Sequence, residues 1–118
     1  MCEIIVKKSR FIGYAADVAT EDAAKEYIAD IAKQHKKARH VAFAYLLPNS
    51  SRYNDDGEPH GTAGLPCMTA IQRRELNNTV VVVVRYFGGV LLGKGGLIRA
   101  YGKAAGAALD TLCESKKA

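Results

Sequence analysis

The segment Thr79–Tyr86 (TVVVVVRY) constrains the fold most, because it is apolar along almost all of its length. A strand with one face in water alternates apolar and polar residues, whereas this run has apolar residues on both faces. It therefore predicts a central strand that is buried on both faces of a sheet. Its apolar part, Val80–Val84, is also the longest apolar run in the chain and is far too short to span a membrane, so we expect no membrane contact.

Two other segments are predicted to form strands of the same sheet. Arg10–Val18 and His40–Leu47 carry the aromatic and β-branched residues typical of strands, and a further short strand is expected near Ile4–Val6. Between the first two, Thr20 offers an N-cap to an amphipathic helix that is predicted to run to about Lys36.

The second half of the chain alternates loops with helices. Ser50–Pro66 is polar and punctuated by glycine and proline, which predicts a long loop, and Met68–Leu76 is typical of a short helix. A long helix follows the last glycine cluster, with an extra strand predicted near Leu91. The element order predicts an α+β two-layer sandwich, with a mixed or antiparallel sheet of about four strands and helices on one face.

Composition narrows the class of protein. Hydrophobic residues make up 48% and charged residues 25% of the chain, as in a folded globular domain rather than a disordered one. The three cysteines (Cys2, Cys67 and Cys113) lack metal-site spacing, and the N-terminus lacks a signal-peptide pattern. We therefore expect a reduced cytoplasmic protein without a metal or cofactor. The net charge of +5 permits an RNA or acidic partner without requiring one.

Two segments are richer in glycine, charge and aromatic residues than a plain core needs: Asp55–Gly64 (DDGEPHGTAG) and Arg85–Gly102 (RYFGGVLLGKGGLIRAYG). Such glycine clusters mark tight turns or close backbone approach. We call them the first and second motif.

The acids of the first motif admit two interpretations. Asp55, Asp56 and Glu58 could serve as general acid and base or bind a hard cation. We favour ion pairs with Arg85 and Arg99, or capping of backbone N–H groups, because Asp-Asp-Gly-Glu-Pro is also good turn chemistry.

The second motif contains a partial phosphate-binding pattern. Gly88–Lys94 (GGVLLGK) satisfies the first seven positions of a Walker A loop, but Gly95 stands where a magnesium-binding Ser or Thr is needed. A weaker hypothesis survives, in which the helix start at Gly93–Gly96 holds an anion with Lys94 and Arg99. The alternative is that these glycines only let the chain turn and pack.

Two more pairs of readings concern histidine and lysine. His60 and Cys67 could form a nucleophile pair, but a loop histidine and a small apolar cysteine explain them more simply. The basic stretch Lys33–Arg39 could contact phosphates, and a solvated helix end is the simpler interpretation.

At the two motifs the chain closely resembles the Impact N-terminal domain family, whose bacterial members are called YigZ proteins. KKSRFIGYA at Lys7–Ala15 and ARHVAFAY at Ala38–Tyr45 support the resemblance, which extends to about Leu112. It implies a fold similar to domain IV of translocating elongation factors and to a domain of a small-subunit ribosomal protein. It also implies a role in translation control and the stress response, with no agreed catalytic activity.

The resemblance further implies a domain organisation and partners. In eukaryotic members this domain accompanies an RWD domain, and the protein dampens a starvation-sensing kinase by competing for its activator. Bacterial members usually add a ferredoxin-like domain after this one, so the resemblance implies that residues 1–118 are a single Impact domain without that addition.

We therefore expect a non-catalytic binding domain rather than an enzyme, in which the two motifs meet in space. Its partner would be a protein of the translation machinery or a structured RNA such as the ribosome, and a phosphate or nucleotide at Gly93–Gly96 is the remaining alternative. The predicted binding surface consists of Asp55, Asp56, Glu58, His60, Thr62, Arg85, Tyr86, Phe87, Lys94, Arg99 and Tyr101. The predicted loop glycines are Gly57, Gly61, Gly64, Gly88, Gly89, Gly93, Gly95 and Gly96.

Overall fold

The computed structural model describes residues 1–116, which form five strands and three helices. In chain order these are β1 (Cys2–Val6), β2 (Ser9–Asp17), α1 (Glu21–Gln34), β3 (His40–Leu47), β4 (Ser50–Asn54), α2 (Gly64–Arg73), β5 (Thr79–Tyr86) and α3 (Gly93–Lys116). All neighbouring strands are antiparallel, in the order β1-β2-β5-β3-β4. The predicted α+β class is confirmed, with five strands in place of about four.

The central strand β5 divides the core into two halves. Val80–Val84 are completely buried. Val81 and Val83 pack with α2 and α3 on one face, whereas the other three valines pack with α1 on the opposite face. This corrects the predicted placement of the helices on one face. A strand that is apolar on both sides needs cover on both, and α1 supplies the second cover.

Local signals explain the bounds of α1. Thr20 accepts a hydrogen bond from Ala23 N–H at 3.1 Å, as predicted for the N-cap, and Glu21 and Asp22 lie in the first turn, where the helix dipole favours acids. The helix ends at Gln34, two residues earlier than predicted.

The predicted loop Ser50–Pro66 contains one strand and the start of one helix. β4 pairs with β3 along the edge of the sheet, with Arg52 opposite Tyr45. The helix α2 begins at Gly64 rather than Met68, and Gly64 packs so closely on β4 that a side chain there would overlap the backbone of Asn54. The predicted strand near Leu91 does not form, and Leu91 lies 82% exposed in the loop before α3.

The helix α3 lies close along β2. A Cβ added to Gly13 of β2 would overlap the carbonyl oxygen of Ala104, so the sheet and the helix approach at a distance that only glycine permits. Within residues 1–116, no helix combines the length and the apolar character that a membrane crossing requires.

Candidate functional site

The first motif connects β4 to α2 and is folded around the carboxylate of Asp55. That carboxylate accepts hydrogen bonds from the backbone N–H groups of Gly61, Ala63 and Gly64 at 2.9, 3.1 and 2.8 Å. Ala63, the N-cap residue of α2, has no side-chain acceptor of its own. Asp55 therefore caps the helix from a distance, as the structural interpretation of these acids predicted.

The same contacts perturb the ionisation of Asp55. Burial raises the free energy of the charged form, but the three N–H donors outweigh burial and hold the pKa of Asp55 below its ordinary value. The carboxylate is thus held charged and fully engaged by its own loop.

Asp56 and Gly57 fit the motif against the start of β3. The Asp56 carboxylate accepts a hydrogen bond from Val41 N–H at 2.7 Å and lies 3.8 Å from His40 Nδ1. Gly57 has a φ of +84°, a backbone conformation that favours glycine. It also lies against the imidazole of His40. These contacts explain why the motif has glycine at this position.

The two motifs meet at Glu58. Its Oε2 accepts hydrogen bonds from Arg85 Nη1 and from the Tyr101 hydroxyl, both at 2.6 Å, and its Oε1 lies 3.5 Å from His40 Nε2. Only 9% of Glu58 and 5% of Arg85 is exposed. Burial and the neighbouring carboxylate of Glu58 raise the pKa of Tyr101, which keeps its hydroxyl a donor. The predicted ion pair of Glu58 with Arg85 is confirmed.

Arg85 is enclosed on its other sides by the ends of β2 and β5. Its guanidinium lies 5.5 Å from the ring centroid of Phe11 and 5.4 Å from that of Phe87, and Nη2 lies 3.4 Å from Ser9 Oγ. Among the described residues, Arg85 Nε has no hydrogen-bond partner. Ser9 Oγ also accepts a hydrogen bond from Gly88 N–H at 3.2 Å, which ties the second motif to the β1–β2 turn. A side chain at Gly88 would overlap the backbone of Lys8.

Burial separates the predicted binding residues into two groups. Glu58, Thr62, Arg85 and Tyr101 are buried and hold the motifs together, so they form no part of a contact surface.

The predicted ion pair of the motif acids with Arg99 does not form, since no acidic side chain lies within ion-pair distance of Arg99 among residues 1–116.

Tyr86 belongs to a second network on the face covered by α1. Its hydroxyl lies 2.6 Å from His35 Nδ1, and the hydroxyl of Tyr14 lies 2.7 Å from His35 Nε2. Burial lowers the pKa of His35, with a smaller contribution from nearby Arg10, so the imidazole is neutral and links the end of α1 to β2 and β5.

The remaining predicted residues lie at the surface. His60, Lys94 and Arg99 are exposed, and Phe87 is half-buried with the guanidinium of Arg39 4.6 Å above its ring. Lys37, Arg39 and Phe87 line one cleft of about 340 Å³. The sequence singled out the basic stretch before β3 but did not pair Arg39 with Phe87, because they are far apart in the chain.

The glycines of the second motif mark turns and the start of α3. Gly89 and Gly93 have positive φ angles of 86° and 74°, and α3 begins at Gly93. Gly95 and Gly96 therefore lie in the first turn of the helix, with the Arg99 guanidinium folded back beside Gly95. Of the predicted loop glycines in the first motif, Gly61 also has a positive φ, of 77°.

Two chemistries weighed in the sequence find no support in this arrangement. Cys67 is completely buried and burial raises the pKa of its thiol, so it forms no nucleophile pair with exposed His60. Within residues 1–116, no three His, Cys, Asp or Glu side chains are grouped as a metal ion would need.

Comparison with known proteins gives consistent matches. The Impact N-terminal domain matches residues 7–109. "IMPACT family member YvyE" of Bacillus subtilis is 49% identical over 92% of this chain and 51% of its own length. "IMPACT family member YigZ" of Escherichia coli is 40% identical over 95% of this chain and 57% of its own length. The chain thus spans about half the length of the curated relatives that it matches.

Solved structures match the fold as well. A crystal structure of a hypothetical protein superposes with a TM-score of 0.89 at 38% identity, over 92% of this chain and 55% of that one. A two-domain translational regulator, Yih1, superposes with a TM-score of 0.58 at 27% identity, over 92% of this chain and 44% of that one.

Proposed function

The chain belongs to the Impact N-terminal domain family, and we propose that it is a non-catalytic binding domain of a translation regulator that docks on structured RNA of the translation machinery. The translational role follows the neighbour Yih1, which is a translational regulator. The observation that carries the RNA contact is a cluster of exposed cations at one end of the sheet.

That cluster, which we call the basic end, gathers three separate segments. The register places Arg10 of β2 and His40 of β3 beside the last residues of β5, Tyr86 and Arg85, so the segments adjoining these positions share one end of the sheet. The contact of Gly88 with Lys8 brings the β1–β2 turn to the second motif. The basic end consists of Lys7, Lys8, Lys36, Lys37, Arg39 and Lys94, all of them exposed.

These six cations are free to meet an anionic partner. None has an acidic side chain within ion-pair distance in the described part of the chain, whereas Arg10 nearby is paired with Glu3. Acids also lie at the opposite end, where Glu21 and Asp22 begin α1 and Asp17 ends β2. An excess of unpaired cations at one end of a domain orients it toward a polyanion and increases the rate of encounter.

Phe87 makes RNA a better match than a small anion. RNA modules stack unpaired bases on aromatic rings and guanidinium planes, and phosphate contacts surround these platforms. The half-buried ring of Phe87, with Arg39 over it and Lys37 lining the same cleft, offers such a platform. Among the motif acids, Glu58 is paired with Arg85 and the charged Asp55 is engaged by backbone donors, whereas Asp56 is exposed near this end beside His40.

The test measures binding of purified domain to a fluorescent RNA hairpin and to ribosomal subunits across a salt series. Binding through the basic end should weaken steeply with salt, with a log–log slope of about −0.9 for each phosphate contact. Lys37→Glu and Lys94→Glu should each weaken binding and make the slope shallower by about 1.

The matched control is Lys25→Glu, which makes the same change of charge on α1, near the acidic end. If the control weakens binding as much as the two variants, or if binding is insensitive to salt, the basic end is not an RNA surface. Capture of ribosomal protein without RNA-dependent binding would move the proposal to a protein partner of the translation machinery.

A further inference from the structure

We propose that a second surface, the groove between α2 and α3, binds an acidic amphipathic helix of a partner protein. This inference goes beyond the proposed RNA contact and does not depend on it. The groove has a volume of about 520 Å³ and is lined chiefly by Leu65, Pro66, Ala70, Ile98 and Gly102, with basic side chains around it.

The two helices present this groove through side chains at helical spacing. Leu65, Thr69 and Arg73 follow one line along α2 at intervals of four residues, and Ile98 and Gly102 do the same along α3. Leu65 and Arg73 are eight residues apart, so the groove is about 12 Å long, which is two turns of a helix. An occupant of matching length is a short helical segment.

The floor of the groove is small and its edges are apolar. Ala70, Pro66 and Gly102 have little or no side chain to project into the groove, which keeps its floor low. Leu65 is 40% and Ile98 45% exposed, so each leaves apolar surface in water that a partner would bury. This pattern favours an apolar stripe inserted between the helices, as in other helix-in-groove complexes.

The rim of the groove determines the charge of the occupant. Arg73, Arg99 and Lys103 line it without an acidic side chain within ion-pair distance among residues 1–116. Arg74, which lines it too, is already held by Asp110 through two hydrogen bonds of 2.8 and 3.2 Å. Three free cations around an apolar floor complement a helix with an apolar stripe flanked by Asp and Glu.

Other occupants fit less well. The lining contains no aromatic side chain on which a nucleic-acid base could stack. A second copy of this chain has an acidic helix in α1, but the apolar stripe of α1, with Ala24 and Ile31, is buried in its own core. Neither a nucleic acid nor α1 of a second copy therefore matches the groove as well as an acidic amphipathic helix of a partner protein.

The experiment follows backbone amide signals of the domain by NMR during titration with a designed peptide. The peptide is a helix of about 14 residues, with leucines at spacings of three and four and glutamates elsewhere. A control peptide keeps the leucine stripe but replaces glutamate with lysine. We expect saturable shifts confined to residues 65–73 and 98–103 with the acidic peptide, and none with the lysine peptide.

Two variants and one matched control assign the contact. Ile98→Asp and Lys103→Glu should each weaken peptide binding tenfold or more, since one removes apolar contact and both place a like charge beside the acidic helix. Ile5→Asp makes the same change at another exposed isoleucine, on β1, and should leave the affinity unchanged.

Several results would overturn the proposal. These are the absence of saturable shifts at about 1 mM acidic peptide, equal binding of the lysine peptide, or equal weakening by Ile5→Asp. Displacement of the peptide from the groove by the RNA hairpin would show that the groove belongs to the RNA surface. The RNA proposal has its own variants at Lys37 and Lys94, which lie outside the groove, so the two proposals can fail separately.

Discussion

Removal of the Glu58 carboxylate should destabilise the domain strongly. In Glu58→Ala the guanidinium of Arg85, only 5% exposed, loses its 2.6 Å partner and stays buried beside Phe11 and Phe87. An uncompensated buried charge of this kind costs about 3–5 kcal/mol. The Tyr101 hydroxyl loses its acceptor in the same step, which adds about 1–3 kcal/mol unless water reaches it.

The measurement is urea unfolding followed by circular dichroism. A domain of this size is typically stable by about 5–15 kcal/mol, so the two losses together, about 4–8 kcal/mol, should remove a large part of the stability in Glu58→Ala. Tyr101→Phe is the milder control, because it removes one hydrogen bond and keeps the edge-to-face contact with Phe11 at 5.1 Å between ring centroids. It should cost about 1.5–3 kcal/mol.

The double variant Glu58→Leu/Arg85→Met separates the charge from the packing. With both charges removed, the apolar replacements should restore most of the stability lost by the single variant, since buried ion pairs often contribute little net. A loss below about 1 kcal/mol in Glu58→Ala would refute this account, and so would a double variant as unstable as the single one.

Three further outcomes are expected. Asp55→Asn should cost about 1–3 kcal/mol, and because the folded pKa of Asp55 is lowered, its advantage over the variant should fade as the pH falls below about 4 in unfolding titrations. The folded pKa of His35 is also lowered, so stability should fall as the pH drops below about 6.5, and unfolding curves of His35→Gln at pH 7 and pH 5 should show a smaller difference than those of the native chain. Gly13→Ala should lower the melting temperature, because the added Cβ would overlap the Ala104 carbonyl oxygen. The control Ala29→Gly, at an exposed position of α1, should cost only about 1 kcal/mol.

The strands with a strong local pattern were predictable. The bounds of β5 and β3 are those expected from Thr79–Tyr86 and His40–Leu47. The strand β4 was missed because Ser50–Asn54 is polar and mostly exposed, and its extended state depends on pairing with β3. The apolar run of β5 already implied that both faces of the sheet are covered. The sequence did not reveal that α1 covers the face opposite α2 and α3.

Non-local contacts limited prediction of the site. Glu58 and Arg85 could be paired by their opposite charges across 27 residues, but Tyr101, 43 residues from Glu58, carries no charge that marks it as a partner. The start of α2 was missed for a similar reason, because its cap is Asp55 rather than a neighbouring Ser or Thr. The sequence also did not predict which motif residues are buried, because a charged residue that binds a partner looks the same in sequence as one that pairs within the fold.

The position of β5 in the sheet sets the order in which a growing chain can fold. The hairpins β1–β2 and β3–β4 are complete before β5 has been synthesised, yet β5 must enter between them. An isolated two-stranded hairpin is marginal in water, and each of these leaves an unpaired apolar edge. A chain that ends before β5 therefore has two hairpins with exposed, aggregation-prone edges instead of a smaller folded protein. Such a nascent chain is expected to need chaperones.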